Sequence, residues 1–217
     1  VPGRPWNDDD PADLALIGAN TADLISDLQD AAAARSFPVL ADILDWHARL
    51  YTGCSVPVAG YAGHLRGDAT VPALVGYEVA VGQKQGVWSS DVGTGVATFL
   101  NQVVSAVTTL DAVLPVGVRP TTVDELGTVV ALTARVHGEW VRIHPFANGN
   151  GRTARVWAAW LALRYGLPVF VTVKPRPHDA AYARAAFASM GNPPAFVGDH
   201  SAAVHVFGHL LSLTLLP

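Results

Sequence analysis

Apolar positions recur at helical spacing through most of the chain, and the places where that rhythm stops are the informative ones. Leu14, Ile17, Leu24, Ile25 and Leu28 predict a helix from Leu14 to Arg35, with Asp10-Pro11 as its start signal. Val39, Leu40, Ile43, Leu44, Trp46 and Leu50 predict a second from Pro38 to Tyr51, closed by Thr52-Gly53. From Gly60 to Asp91 the period changes. Val75, Tyr77, Val79 and Val81 alternate, and Gly82 to Gly86 reads as a turn before Val87-Trp88, so a short β-hairpin is expected.

Helical spacing returns from Gly95 to Leu114 and from Thr121 to Ile143, where Val129, Leu132, Val136, Trp140 and Ile143 are spaced by three or four. Thr122 followed by Glu125 is a capping box for the second of these helices. A loop from His144 to Asn150 interrupts the pattern, and a helix from Gly151 to Tyr165 follows, ended by Gly166 and Pro168. Two more helices are predicted at His178 to Met190 and Asp199 to Leu213, separated by Gly191-Asn192-Pro193-Pro194. The expected fold is mainly α: a helical bundle with one short β-hairpin, in which the helices on either side of the 144–150 loop pack antiparallel.

With 217 residues, half of them apolar, the chain can fill one core. The net charge is −4 and two of the 14 basic residues are lysines, so no basic stripe follows a phosphate backbone and nucleic acid is not an expected partner. Cys54 is the one cysteine, with neither a disulfide nor a metal-ligand partner, which fits a reducing cytoplasm. The first ten residues lack the apolar run of a signal peptide and no run of about 18 uninterrupted apolar residues follows, so no membrane association is expected.

The chemistry concentrates in His144-Pro145-Phe146-Ala147-Asn148-Gly149-Asn150-Gly151-Arg152-Thr153-Ala154-Arg155. Gly149 and Gly151 bracket Asn150 at a helix N-terminus, where unpaired N–H groups and the helix dipole attract an anion. Arg152 and Arg155 lie three apart, share a face, and present guanidinium forks suited to phosphate oxygens. His144 is expected at the mouth of this arrangement, and an unperturbed histidine titrates near operating pH, so it could serve as general base. Residue types and spacing alone leave two readings open, a phosphate site and an ordinary interhelical loop.

The full string closely resembles the Fic family motif, His-Pro-Phe-x-(Asp/Glu)-Gly-Asn-(Gly/Lys)-Arg, followed in many members by x-x-Arg; Asn148 is the one departure in the core positions. Leu44 to Tyr51, followed by Gly63-His64-Leu65-Arg66, resembles the family's helix and its approach to the substrate flap, and His137 stands where many members carry a scaffold histidine. The resemblance covers Pro38 to Met190. It implies an N-terminal extension with a helix (1–37), a Fic core (38–190) and a C-terminal helix packed on that core (191–217).

By the same resemblance the chain is a nucleotidyl transferase that moves AMP from ATP to a Ser, Thr or Tyr hydroxyl of a target protein, with Mg²⁺ and ATP required. His144 is then the catalytic base. Gly149, Asn150 and Gly151 form the anion cradle, Arg152 holds the outer phosphates with Arg155 nearby, and Val75, Tyr77, Val79 and Val81 belong to a flap that takes an extended target segment by strand addition. The family holds its magnesium through an acidic residue where this chain has Asn148. An amide brings no charge to a hard cation, so the departure implies weaker metal binding, slower AMP transfer, or transfer of a phosphoryl group as in the related Doc proteins. A catalytically weak nucleotide-binding or protein-interaction module is the alternative of another class.

Many family members are inhibited by a glutamate that pairs with the second motif arginine, here Arg155. The three glutamates of this chain, Glu78, Glu125 and Glu139, lie outside any such segment, so any inhibition is expected from a segment outside this sequence or, in a toxin-like arrangement, from a separate antitoxin-like partner. His205 and His209 have metal-ligand spacing on the last predicted helix but no completing carboxylate or cysteine, and helix packing is the simpler reading. Trp140, Trp157 and Trp160 read as core rather than as a base-stacking platform.

Overall fold

The computed structural model describes residues 4–215; residues 1–3 of the expected N-terminal extension and 216–217 lie outside the described residues. Among the described residues seven α-helices alternate with loops and one small hairpin: α1 (Leu14–Ala33), α2 (Leu40–Leu50), β1 (Ala80–Val81), β2 (Lys84–Gln85), α3 (Val92–Val113), α4 (Val123–Ile143), α5 (Asn150–Arg164), α6 (Ala180–Ser189) and α7 (Ser201–Leu215). The mainly helical bundle expected from periodicity is therefore the fold observed.

α5 is the central element. Thirteen of its fifteen residues are buried, so it carries no polar stripe and must be surrounded: α4, α1 and α2 pack on it, while α7 and α3 cover other faces of α4. Trp140 Nε1 donates to Thr153 Oγ1 at 2.8 Å and ties α4 to α5 just beyond the motif loop. Trp140, Trp157 and Trp160 are all core, with Phe99, Trp46 and Phe146 against them at centroid separations of 5.1 to 5.9 Å. By area each such ring contributes up to roughly 4–6 kcal/mol of transfer free energy.

Local signals explain the element ends. Thr122 Oγ1 accepts from the Glu125 N–H at 3.2 Å while Glu125 Oε2 accepts from the Thr122 N–H at 3.0 Å, the capping box predicted for α4. Gly166, in left-handed geometry at φ +67°, ends α5 with the Leu167 N–H returning to Ala162 O at 2.8 Å. Asp10 caps a turn through the Ala12 N–H, and the helix itself begins only at Leu14. At the far end of the bundle Asp111 accepts from Arg35, Arg164 and Tyr165, joining α1, α3 and α5. Burial opposes ionisation of Asp111, but the two guanidiniums and the phenol outweigh it and hold its pKa below the ordinary value.

α3 is long and apolar enough to cross a membrane by length and composition, yet Val92, Val96, Phe99, Val103, Val107 and Leu110 face the core at helical spacing. The hairpin departs most from expectation. Only two residues on each side pair, Ala80 with Gln85 and Val81 with Lys84, and the turn is confined to Gly82-Gln83. The alternation seen from Val75 belongs mostly to irregular backbone, because Pro72–Leu74 forms a 3-10 turn and Gly76 takes φ +66°.

Candidate functional site

The loop between α4 and α5 is stiffened residue by residue. His144 is the C-cap of α4 in left-handed geometry (φ 54°, ψ 57°), a conformation uncommon for a residue with a side chain. Its Nδ1 lies 2.7 Å from Val141 O. A carbonyl only accepts, so Nδ1 carries the proton and the neutral ring's Nε2 is left as the basic nitrogen. Burial is the main cause that pushes the His144 pKa down to about 4, with the Val141 bond opposing and Arg66 reinforcing, so the ring is neutral at pH 7.

Phe146, expected to anchor the loop, is fully buried and stacks on His47 with centroids 3.7 Å apart and planes 3° from parallel. The Gly63 N–H donates to His47 Nδ1 at 2.9 Å, so Nε2 is the protonated nitrogen and donates to Asn148 O at 3.0 Å. α2 thus braces the motif loop through one neutral histidine, a role the sequence did not single out. Asn150 uses its side chain inside the loop: Oδ1 accepts from the Phe146 N–H at 2.8 Å and Nδ2 donates to Phe146 O at 2.9 Å. Its side chain is therefore a clamp, and only its backbone N–H remains for the anion cradle expected there.

The two glycines differ. Gly149 is the N-cap of α5 at φ +76°, and a Cβ on it would collide with the Tyr51 hydroxyl and come within 2.9 Å of His47 Nε2. Gly149 is therefore required for packing against α2. A Cβ on Gly151 would meet only Arg155 Nη1, at 3.3 Å. The first intrahelical donor of α5 is Thr153, bonded to Gly149 O at 3.0 Å, so the N–H groups of Asn150, Gly151 and Arg152 are the helix's first-turn donors.

Arg152 is 3% exposed and covered by the N-terminal segment. Its Nη1 donates to Asp8 and, at 2.7 Å, to the Tyr51 hydroxyl; its Nη2 donates to Asp9; its buried Nε has no partner among the described residues. Burial lowers the Arg152 pKa, but Tyr51, Asp8 and Asp9 outweigh it and the net shift is upward. Lys174 Nζ reaches Asp9 at 3.0 Å, adding a cation that sequence reasoning missed. Arg155 is buried elsewhere: Nε donates to Val173 O at 3.0 Å and Nη1 lies 3.4 Å from the Tyr182 hydroxyl, which in turn lies 2.9 Å from His137 Nε2. Burial first, then Arg155 and His200, holds the His137 pKa near 3.

Asn148 would offer a metal ion only a neutral amide oxygen with one lone pair to spare. Its Oδ1 accepts from the Gly149 N–H at 2.8 Å and its Nδ2 donates to Trp6 O at 2.6 Å, so both ends of the amide are engaged. Among the described residues no group of three histidine, cysteine or acidic side chains could hold a metal ion. His200, on the approach to α7, is paired with Glu139 at 2.7 Å.

The hairpin is attached to the base loop through Arg66, whose side chain is buried. Nε donates to His144 O at 2.7 Å, Nη2 to Val87 O at 2.7 Å and Ile143 O at 3.2 Å, and Nη1 to Tyr77 O at 3.1 Å and Glu78 Oε2 at 3.2 Å. Burial lowers the Arg66 pKa to about 10, against the opposing pull of Glu78, so it stays cationic. Gly86, at the end of β2, passes so close that a Cβ on it would lie 2.6 Å from His144 Cβ. Of the expected flap residues, Val75 and Val81 are exposed and Tyr77 and Val79 half-buried.

A model of the Fic/DOC family matches residues 39–162. Among curated proteins there is no match. Among solved structures, the chain is similar to a Fic-domain-containing signaling protein from Bacteroides thetaiotaomicron VPI-5482 (TM-score 0.63, 16% identity, 90% of this chain and 66% of that one). It is also similar to the N-terminal Fic domain of a Bartonella effector protein, a substrate of the VirB type IV secretion system, from Bartonella sp. AR 15-3 (0.59, 15%, 94% and 84%). The N-terminal Fic domain of Bep8, a VirB-translocated effector from Bartonella sp. 1-1C, is comparable (0.59, 17%, 94% and 87%). The chain spans just under two thirds of the Bacteroides protein, and at these identities the likeness shows the fold. With the motif loop, its bracing helix and the hairpin all matched within 39–162, the chain belongs to the Fic/DOC family, whose members generally transfer nucleotide-derived groups to proteins.

Proposed function

We propose that this chain is a protein adenylyltransferase that moves AMP from ATP to a Ser, Thr or Tyr hydroxyl of a target protein. The observation that carries the proposal is the tautomer of His144: Nδ1 is spent on Val141 O, and Nε2 is a neutral base beside the hairpin. In the proposed step the target hydroxyl gives its proton to Nε2 as its oxygen attacks the α-phosphorus. The bond from that phosphorus to the pyrophosphate oxygen breaks, pyrophosphate leaves, and the proton passes from His144 to water. A positioned general base contributes about 10²–10⁴ in rate.

Arg152, the first-turn N–H groups of α5 and Lys174 supply positive potential for the outer phosphates. Arg155 supports the site through Tyr182 and His137. A target segment laid along the hairpin would be held mainly by backbone hydrogen bonds, which places its hydroxyl near the base without demanding a long sequence match. No step is assigned to a divalent cation through Asn148, since its amide is engaged on both sides.

A second reading, a quiet nucleotide-binding module, is favoured by the carboxylates already on Arg152. ATP labelled at the α- or the γ-phosphate separates the cases. Label that follows the α-phosphate into protein supports AMP transfer, and label from the γ-phosphate alone supports phosphoryl transfer. No incorporation, with ATP binding intact, leaves the module.

A further inference from the structure

The N-terminal segment from Trp6 to Asp9 lies across the motif as a strap with three attachments. Trp6 is 8% exposed and sits edge-on to Tyr51 at 4.5 Å, with His47 and Tyr61 close by at 5.9 and 6.2 Å. Its carbonyl accepts from Asn148 Nδ2. Asp8 then takes Nη1 of Arg152 and the Tyr51 hydroxyl, and Asp9 takes Nη2 of Arg152 and Lys174. Two carboxylates thus present oxygens to the two cations assigned above to a nucleotide's outer phosphates. Burial disfavours the charged form of Asp9, yet Lys174 and Arg152 prevail and keep it ionised.

Carboxylate and phosphate are both oxyanions that guanidinium forks bind in the same way, so the two compete for one site. The strap leaves Arg152 Nε, buried, without an acceptor, and a phosphate with more oxygens could supply one. Asn148 fits the same arrangement. Its amide donates to the Trp6 carbonyl, which an aspartate in its place could not do, and the ionised carboxylate would instead repel that carbonyl. The residue that departs from the family pattern is the latch that holds the strap.

Resting on the nucleotide reading above, we infer that residues 6–9 are an inhibitory strap whose Asp8 and Asp9 occupy the phosphate site, so that nucleotide binds only by displacing them. The family pattern puts a glutamate opposite Arg155, which leads sequence reasoning to place inhibition outside this sequence; the carboxylates in this chain lie on Arg152 instead.

The test measures ATP affinity by calorimetry in EDTA, so that no divalent ion contributes, together with hydrogen exchange of the Trp6–Asp13 amides. The double variant Asp8→Asn, Asp9→Asn is expected to bind ATP at least tenfold more tightly than the unaltered chain. Trp6→Ala, which leaves every partner of Arg152 in place, and Asn148→Asp should shift affinity in the same direction. In the unaltered chain, saturating ATP should speed exchange across the strap. Equal affinity in all four forms, with the strap still protected when ATP is bound, would overturn the strap and leave the nucleotide reading standing. Absence of ATP binding in every form would overturn both.

Discussion

Replacing Arg66 by alanine is the sharpest structural perturbation available outside the motif itself. The side chain is wholly buried and serves five acceptors: the carbonyls of Ile143, His144, Tyr77 and Val87, and the Glu78 carboxylate. Glu78 keeps other donors, since Ser89 gives it an N–H at 3.0 Å and a hydroxyl at 2.7 Å. The loss therefore falls on the four carbonyls and on the junction between hairpin and base loop. An unsatisfied buried acceptor costs about 1–3 kcal/mol and breaking a buried ion pair about 3–5, while water entering the vacated space recovers part. A net loss of about 3–5 kcal/mol is expected, a large share of the roughly 5–15 kcal/mol that holds a domain together. With a urea slope of about 2–3 kcal/mol per molar the unfolding midpoint should fall by roughly 1–2 M. Arg66→Lys keeps the charge but one ammonium cannot replace three nitrogens of a planar fork, so at least half the loss should persist. A midpoint shift below about 0.3 M for Arg66→Ala would refute the reasoning.

Other consequences follow from the same geometry. Asn150→Ala strands the Phe146 N–H and C=O in a buried loop and should cost roughly 2–5 kcal/mol in urea unfolding, whereas an exposed-cradle role would leave stability nearly unchanged. Gly149→Ala combines left-handed strain with overlap against Tyr51 and His47 and should cost roughly 2–5 kcal/mol, read from the same curves. Burial holds both His47 and His137 at a pKa of about 3, so below pH 6.5 the unfolded chain takes up protons that the folded chain refuses. Stability should be full above pH 6.5 and fall by up to about 1.4 kcal/mol per pH unit for each as pH drops toward 4.5, before the carboxylates titrate. A flat stability profile between pH 7 and 5 would contradict that burial.

Much of the fold could be read from local signals because those signals act locally. The α4 capping box, the Gly166 terminator and the apolar spacing of α1 to α5 each depend on residues within a turn or two, and each helix begins or ends within three residues of expectation. The motif loop was legible for the same reason. What escaped is held by contacts across long stretches of chain: Arg66 to His144, His47 to Asn148, and Asp8 to Arg152, 144 positions apart. An acidic, proline-bearing start carries no periodicity, so nothing in it marks Trp6 as buried or Asp8 as a partner. The hairpin misled in the other direction. The alternation from Val75 to Val81 matches a strand, but Pro72 and Gly76 set the backbone there and only Ala80-Val81 pairs. Asn150 was read by its position at a helix N-terminus, where its side chain turns out to close the preceding loop.

On the proposed mechanism His144 Nε2 is the base for transfer of a nucleotide-derived group. The direct measurement is the mass added to protein hydroxyls when the Asp8→Asn, Asp9→Asn form, with and without His144→Ala, is incubated with ATP, Mg²⁺ or Mn²⁺ and lysate proteins. Adenylyl groups are expected on Ser, Thr or Tyr and should fall about 10²–10⁴-fold when His144 is lost, with the rate in the form that keeps His144 level from pH 8 down to pH 5.5 because the histidine stays neutral there. Equal modification with and without His144 would contradict it.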